Sequence, residues 1–258
     1  MKKINGAVLH SLINSVYLGG IINEAVLCVD DGVAQMQAIH QTNMLLVSNR
    51  LDLKVPDMKI GITEIGLISK LLGTGDEVKY ELSGKGDDQW MKLNIKNKGN
   101  VKLLLTDSEL ISTYVDNELA ADEMLESYET EGIELNKEMI DKILYFINMF
   151  KPTSLLVCVD SKSKLEIKSI PTEIKQFKIP VGKMEDCEDI EIEIYVDHLS
   201  AILTQAKESK EELLLLLKDS DHPVILLQDD CVWALSPIDE TTSDSITNQE
   251  DDEDDIPQ

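Results

Sequence analysis

Two stretches of the chain call for the same succession of elements, and that repetition limits the fold more than any single motif. Ala7 to Leu18 is an apolar run with helical spacing, followed by two strand-like stretches bent at Asp30-Asp31-Gly32. Lys137 to Phe150 is a second amphipathic run, followed by strand-like stretches bent at Asp160-Ser161-Lys162. A shorter helical run comes later in each half, Ile62–Leu72 and Val196–Lys207, and alternating strands follow both. The offset between the halves is about 130 residues, far longer than a solenoid repeat. Two similar domains in one chain predict a pseudo-symmetric assembly in place of a single pocket, and so point away from an enzyme.

Local signals place the elements. Asn5 is suited to cap the first helix, whose core stripe is Val8, Leu9, Leu12, Ile13 and Val16, and Gly19-Gly20 is suited to end it. Ala25–Val29 and Val33–Ile39 read as a hairpin about Asp31-Gly32, with Met44–Leu53 as the next strand. Ile62–Leu72 is the second helix. Glu77–Leu82 and Trp90–Lys96 form a further hairpin, and Val101–Leu105 closes the first half. In the second half Gly132–Leu135 re-enters a sheet and Asn136 caps the third helix. Ser154–Val159 and Lys164–Ile170 pair, Lys175–Ile179 is a strand ended by Pro180, and Asp189–Ile194 alternates acid with isoleucine. A fourth helix over Val196–Ser209 precedes strands at Leu213–Leu217, Val224–Gln228 and Val232–Leu235. The sum is an α+β fold of two similar domains, each with antiparallel sheets and two helices on one face. The divisions are residues 1–106, an acidic linker 107–131, residues 132–238 and an acidic tail 239–258.

A net charge of −25 is hostile to nucleic acid unless it is segregated. It is segregated here. Residues 239–258 hold nine acidic side chains and residues 107–134 hold ten, with no basic one in either, which leaves −6 for the remainder. Such segments repel themselves and stay solvated, although Tyr114, Leu119, Met124, Leu125 and Tyr128 interrupt the linker's charges. The tail is expected to be dispensable for folding. Cys28, Cys158, Cys187 and Cys231 lie far apart with no C-x-x-C and read as free thiols. Met1-Lys2-Lys3 leads into a run too short and polar for secretion or spanning, so a soluble, intracellular protein is expected. No phosphate loop, dinucleotide fingerprint, H-E-x-x-H or nucleophile elbow is present, and His10, His40, His198 and His222 have no ligand spacing. No catalytic residue, metal site or cofactor is read from the chain.

The stretch Ile22–Leu51, "INEAVLCVDDGVAQMQAIHQTNMLLVSNRL", resembles the start of the sliding clamps of the proliferating cell nuclear antigen type. Leu67-Ile68-Ser69-Lys70-Leu71-Leu72 resembles that family's second helix. Pro223-Val224-Ile225-Leu226, then Trp233-Ala234-Leu235-Ser236-Pro237-Ile238 and an acidic tail, resembles its C-terminal end. The likeness covers about 235 residues through the order and spacing of short motifs, and the acidity suggests a phage or viral member.

The resemblance implies a DNA polymerase processivity factor, a homotrimeric ring of six domains around double-stranded DNA. Helices line the hole and the ring tethers polymerase and clamp loader through short peptide motifs. Phosphate contacts are blind to sequence, so a ring holding DNA loosely can slide. The implied DNA-facing residues are Lys70, Lys142, Lys207 and Lys210. Departures are His10, Ser11, Gly73 and Tyr145, which stand where the family has lysine or arginine, and scattered lysines are also what solvated helix faces carry. The implied partner site is an apolar groove of Ile39, Met44, Leu46, Pro223, Ala234, Ser236 and Pro237, with Leu119 and Met124 contributed by the linker. Met44 is expected to be exposed there, and some strand positions are expected to be ordinary core. Val101–Leu105 and Lys175–Ile179 are the strands expected to pair between subunits.

Three rival readings stay open from sequence. One is a clamp-fold processivity factor that never closes a ring, which needs a stronger basic face than four lysines. Another is an acidic protein that mimics DNA and inhibits a nucleic-acid-binding enzyme, which needs charge spread over the folded body. The third is an interaction hub with no DNA role.

Overall fold

The computed structural model describes residues 2–53, 55–72, 77–84, 89–113, 125–128, 132–170, 175–184 and 189–238. The first half runs β1 (Lys2–Asn5), α1 (Gly6–Tyr17), β2 (Ala25–Asp30), β3 (Val33–Ile39), β4 (Leu45–Asp52), β5 (Met58–Ile62), α2 (Ile65–Leu71), β6 (Glu77–Ser83), β7 (Trp90–Ile95) and β8 (Gly99–Leu104). The second runs β9 (Ile133–Leu135), α3 (Lys137–Phe150), β10 (Ser154–Val159), β11 (Lys164–Ser169), β12 (Lys178–Lys183), β13 (Ile190–Tyr195), α4 (Val196–Ala206), β14 (Leu213–Leu216), β15 (Val224–Gln228) and β16 (Cys231–Leu235). The order is the same in both, so each strand has its counterpart eight strands later.

The pairing repeats as well. The first half builds sheets β1-β6-β7-β8 and β5-β2-β3-β4, and the second builds β9-β14-β15-β16 and β13-β10-β11-β12, all antiparallel. The halves join through β4 and β16, where Leu46 faces Ala234 and Val47 faces Trp233. That pair fuses two four-stranded sheets into one of eight, β5-β2-β3-β4-β16-β15-β14-β9. The counterparts of these joining strands are β12 and β8, and both lie at the edge of their sheets.

Caps and turns follow the sequence closely. The Asn5 side-chain oxygen accepts hydrogen bonds from the amides of Ala7 and Val8 at 3.1 and 3.3 Å, and Asn136 accepts from Met139 at 2.9 Å. Asp31 and Gly32 take positive φ of 45° and 81°, as the tight turn between β2 and β3 requires. The stop of α1 begins one residue earlier than expected, with Leu18 already left-handed at φ 47°.

Other boundaries differ. Ile62 closes β5 instead of opening a helix, and α2 starts at Ile65. β1 and β5 carry no turn signal of their own and were not expected. Pro180 lies inside β12 and does not end it. β12 is an edge strand, where a missing N–H costs no ladder bond, and the register with β11 slips between Leu165 and Glu166.

The helices lie on one side of the sheets. Leu9, Leu12, Ile13 and Val16 of α1 enter a core shared with Met36, Leu45 and Val47 of β3 and β4. Ile140, Ile143 and Ile147 of α3 do the same in the second half. Trp233 of β16 is buried, and its indole N–H donates to the Ser15 carbonyl on α1 at 3.1 Å, so one side chain ties the two halves together.

Candidate functional site

Two surfaces correspond to the residues singled out in the sequence: the helix side and the opposite face of the eight-stranded sheet.

On the helix side Lys70 is exposed in the last turn of α2, and Lys142 is exposed on α3. Lys207 caps the C-terminus of α4 and forms an ion pair with Asp141 of α3. Lys210 lies just beyond α4 and lines a cavity of about 360 Å³ with Asn136, Lys137, Lys207 and Glu211. Lys207 and Lys210 therefore converge on the start of α3, while Lys70 sits on another helix pair. Lys137 belongs with them and was not singled out; its position beside the Asn136 cap was the available signal. Exposed Glu138, Asp141 and Asp197 on α3 and α4 offset these lysines.

The junction of the halves on this side is acidic. A cavity of about 300 Å³ between α1 and α4 is lined by His10, Asn14, Asn49, Gln205, Glu208 and Asp229. Burial, with Glu211 and Asp230 nearby, raises the Asp229 carboxyl above the ordinary carboxylate range. His10 and Asn14 are held in place: an Asn14 side-chain contact to the His10 ring measures 3.0 Å, and Ser69 of α2 donates to Asn14 at 2.6 Å. Tyr145 and Met149 present apolar surface on α3, at 57% and 52% exposure.

On the opposite face five apolar residues stand in one row across five strands. Ile39 pairs with Leu46, Leu46 with Ala234, Ala234 with Ile225, and Ile225 with Leu216. Leu125 and Tyr128 from the connecting segment pack on this row with Val232 and Leu227. The Tyr128 hydroxyl donates to the Pro223 carbonyl at 2.5 Å. Pro223, Ser236 and Pro237 are half-buried at its margin, and the Ser236 amide donates to the Met44 carbonyl at 3.1 Å.

Ile39, Leu46, Ala234 and Pro223 thus come together. Met44 is adjacent, but it is only 6% exposed, so the exposure expected of it is absent. Leu119 and Met124 lie outside the described residues; among the described residues of the segment between the halves, Leu125 and Tyr128 pack on the sheet. Sequence reading missed Ile225 and Val232 as surface-row residues. The signal was there, because β15 and β16 are apolar at both alternations and so need cover on both faces.

Beside the row, His40 follows β3 and His198 opens α4, with ring centroids 4.7 Å apart and Tyr195 at 5.7 Å from His198. Burial, with His40 alongside, lowers the His198 pKa to about 4, and burial lowers that of His40 too. Among the described residues no group of three or more metal-ligating side chains assembles, and no helix is long and apolar enough to cross a membrane.

No family model matches the chain, and no curated relative does. Solved structures do. The PCNA of A. fulgidus, seen with the C-terminal region of FEN-1 bound, superposes with a TM-score of 0.68 at 18% identity, over 92% of this chain and 98% of that one. A DNA polymerase sliding clamp from Pseudomonas aeruginosa gives 0.71 at 16% identity, over 92% of this chain but 65% of that one. PCNA from Thermococcus kodakaraensis gives 0.64 at 15% identity, over 92% and 99%. The fold is that of the sliding clamps, as the sequence resemblance implied.

Proposed function

We propose that this chain is one subunit of a ring-shaped sliding clamp, a non-enzymatic processivity factor that encircles double-stranded DNA and tethers polymerase and clamp loader. In this reading residues 1–106 and 132–238 are the two clamp domains and residues 107–131 link them. The observation that carries it is the antiparallel join of β4 to β16 inside the chain, together with the open edges of their counterparts β12 and β8. A second copy offering β12 to the first copy's β8 repeats the internal join. Each copy has one edge of each kind, so the contact is head-to-tail and closes into a ring when the rotation permits. Three copies make six domains.

Lys70, Lys142, Lys207 and Lys210 are the residues proposed to meet DNA, with Lys207 shared with Asp141. The row of Ile39, Leu46 and Ala234, bounded by Met44, Pro223, Ser236 and Pro237, is proposed to receive apolar residues of partner peptides. Leu119 and Met124 are the proposed linker contributors. Binding of FEN-1's C-terminal region to a clamp of this fold supports that mode.

Light scattering tests the assembly. The expected result is three chain masses, shifting to one in Leu104→Glu, because Leu104 ends β8 with 69% exposure and the substitution spares the core. A wild-type chain that stays monomeric at micromolar concentration, with DNA and loader present, defeats the ring. The groove is tested with a peptide from the cognate polymerase's C-terminus: Ile39→Glu should weaken it by about 1–3 kcal/mol.

A further inference from the structure

Apart from Leu104 at the β8 edge, the outer face of the sheet β1-β6-β7-β8 takes no part in the proposed function, yet it carries paired lysines. Val78, Tyr80, Met91, Leu93, Ile95 and Leu103 are buried in the core, so the alternating residues face outward. Across the strands Lys3 pairs with Lys79, and on the next row Lys92 pairs with Lys102. Strands lie about 4.8 Å apart and same-face residues about 7 Å apart, so these four stems share a patch of about 15 by 7 Å. Like charges placed directly opposite each other destabilise a sheet unless a countercharge covers them. Among the described residues the acids of this face are Glu81, directly opposite Lys92, and Glu77, which pairs with Lys96 at 3.0 Å and also feels Lys3 and Lys79, so two carboxylates face five ammonium groups. Lysines also face each other on β11 and β12, where Lys168 lies opposite Lys178 and Lys164 opposite Lys183, but those four share their face with three carboxylates, Glu166, Glu191 and Glu193, and Lys178 pairs with Glu166 at 2.6 Å.

An apolar step borders the patch. Trp90 lies beside Leu104 in register, Leu104 is 69% exposed, and the Lys102 ammonium sits 4.5 Å from the Trp90 ring centroid.

We propose that the acidic segment 239–258 of this chain docks on that face. The run Glu250–Asp255 lies against Lys3, Lys79, Lys92 and Lys102, and Ile256-Pro257 lies against Trp90 and Leu104. Charge is the first argument: the segment holds nine acids and no base, in the order acidic run then apolar pair, which matches lysines then Trp90 and Leu104. Reach is the second. Residues 239–249 separate Ile238, the last described residue, from the run, and extended they span about 36–40 Å. Ile238 donates to the Glu193 carbonyl of β13 in the second half, and a body of this size is about 45 Å across, so the run reaches the first half's sheet only with residues 239–249 close to fully extended. A tethered segment also sees the patch at millimolar effective concentration, so modest intrinsic affinity suffices. The consequence is steric and electrostatic: the segment occupies a polyanion site outside the helix side and keeps nucleic acid off it. This inference rests on charge and register and holds whether or not the chain forms a ring.

The full chain is treated with a zero-length carbodiimide, which joins carboxylates to amines in contact, and cross-links are mapped by mass spectrometry. Cross-links from residues 250–255 should concentrate on Lys3, Lys79, Lys92 and Lys102 and fall at least about tenfold at 1 M salt, where the Debye length is about 3 Å. Neutralising the run (Asp251→Asn, Asp252→Asn, Glu253→Gln, Asp254→Asn, Asp255→Asn) should raise affinity for a short single-stranded oligonucleotide at least about tenfold. Adding Lys79→Gln, Lys92→Gln and Lys102→Gln should abolish that gain. These substitutions are exposed or half-exposed and keep the stems, and circular dichroism checks the fold. Cross-links that favour Lys164, Lys168 and Lys178, or that spread evenly, overturn the proposal. So does an unmodified chain that already binds the oligonucleotide through these lysines as tightly as the neutralised one, since nucleic acid would then be the occupant.

Discussion

At the scale of single residues, burial decides what a side chain can do. Met44 illustrates it: the sequence puts it beside Leu46 in an apolar strand, and only the fold shows that it is covered while Leu46 shares its face with Ile39 and Ala234. His198 makes the sharper case. It is 6% exposed, and among the described residues its Nδ1 lacks a hydrogen-bond partner. The groups facing it are His40, Tyr195 and the adjacent Asp197, and burial dominates, so its folded pKa of about 4 lies below the unfolded value of 6.5. The unfolded chain therefore binds the proton first. The stabilisation is complete above pH 6.5 and is lost as pH falls towards 4, by at most about 3 kcal/mol. Urea unfolding between pH 7 and pH 4 should show the decline, and His198→Leu should flatten part of it. A variant with an unchanged slope would show that His198 is not responsible. Tyr128→Phe is a milder change: losing the hydroxyl bond to Pro223 should cost about 0.5–1.5 kcal/mol in the same assay.

At the scale of elements, the legible parts are those whose signal is local. Asn5 and Asn136 announce helix starts, Asp31-Gly32 announces a turn, and the 3.6-residue stripes of α1 and α3 announce helices; all appear with small shifts. What failed depends on neighbours. β1 and β5 are strands because β6 and β2 offer them a partner, and neither has a pattern strong enough alone. Pro180 breaks a central strand but not an edge strand, and edge position is a property of the sheet. The apolar row fails for the same reason in part: Ile225 and Val232 read as core, and only the packing of Leu125 and Tyr128 on the second face reveals a row with a cover. The caps give a clean element-scale test. Asn136→Ala removes the acceptor for the Met139 amide and should destabilise the second half by about 1 kcal/mol, read as a lower denaturant midpoint at constant slope. An unchanged midpoint would mean that water or Glu138 replaces the cap.

At the scale of the whole molecule, charge is sorted more finely than the net value of −25 conveys. The helix side carries lysines at Lys70, Lys137, Lys142 and Lys210 but is acidic where α1 meets α4, around Glu208 and Asp229. A protein holding DNA by contact would need a continuous basic face and a steep salt dependence. One holding it by enclosure needs little more than the absence of strong repulsion. The two modes separate in one experiment. Lys70→Glu, Lys142→Glu and Lys210→Glu together replace three positive charges by three negative ones at exposed positions, a net change of −6, and surface changes of this kind cost little stability. Lys207 is left intact because its ammonium is already engaged by Asp141 of α3. If the proposed ring encloses DNA, wild type and triple variant should both bind linear DNA weakly, while the variant should reduce the length synthesised per binding event by the cognate polymerase at least tenfold, since a repelled duplex is poorly threaded. If the wild type instead binds linear duplex tightly and loses affinity with a slope of several counterions, it holds DNA by contact, and enclosure is the wrong account. If the triple variant supports full-length synthesis, these three lysines do not face the duplex.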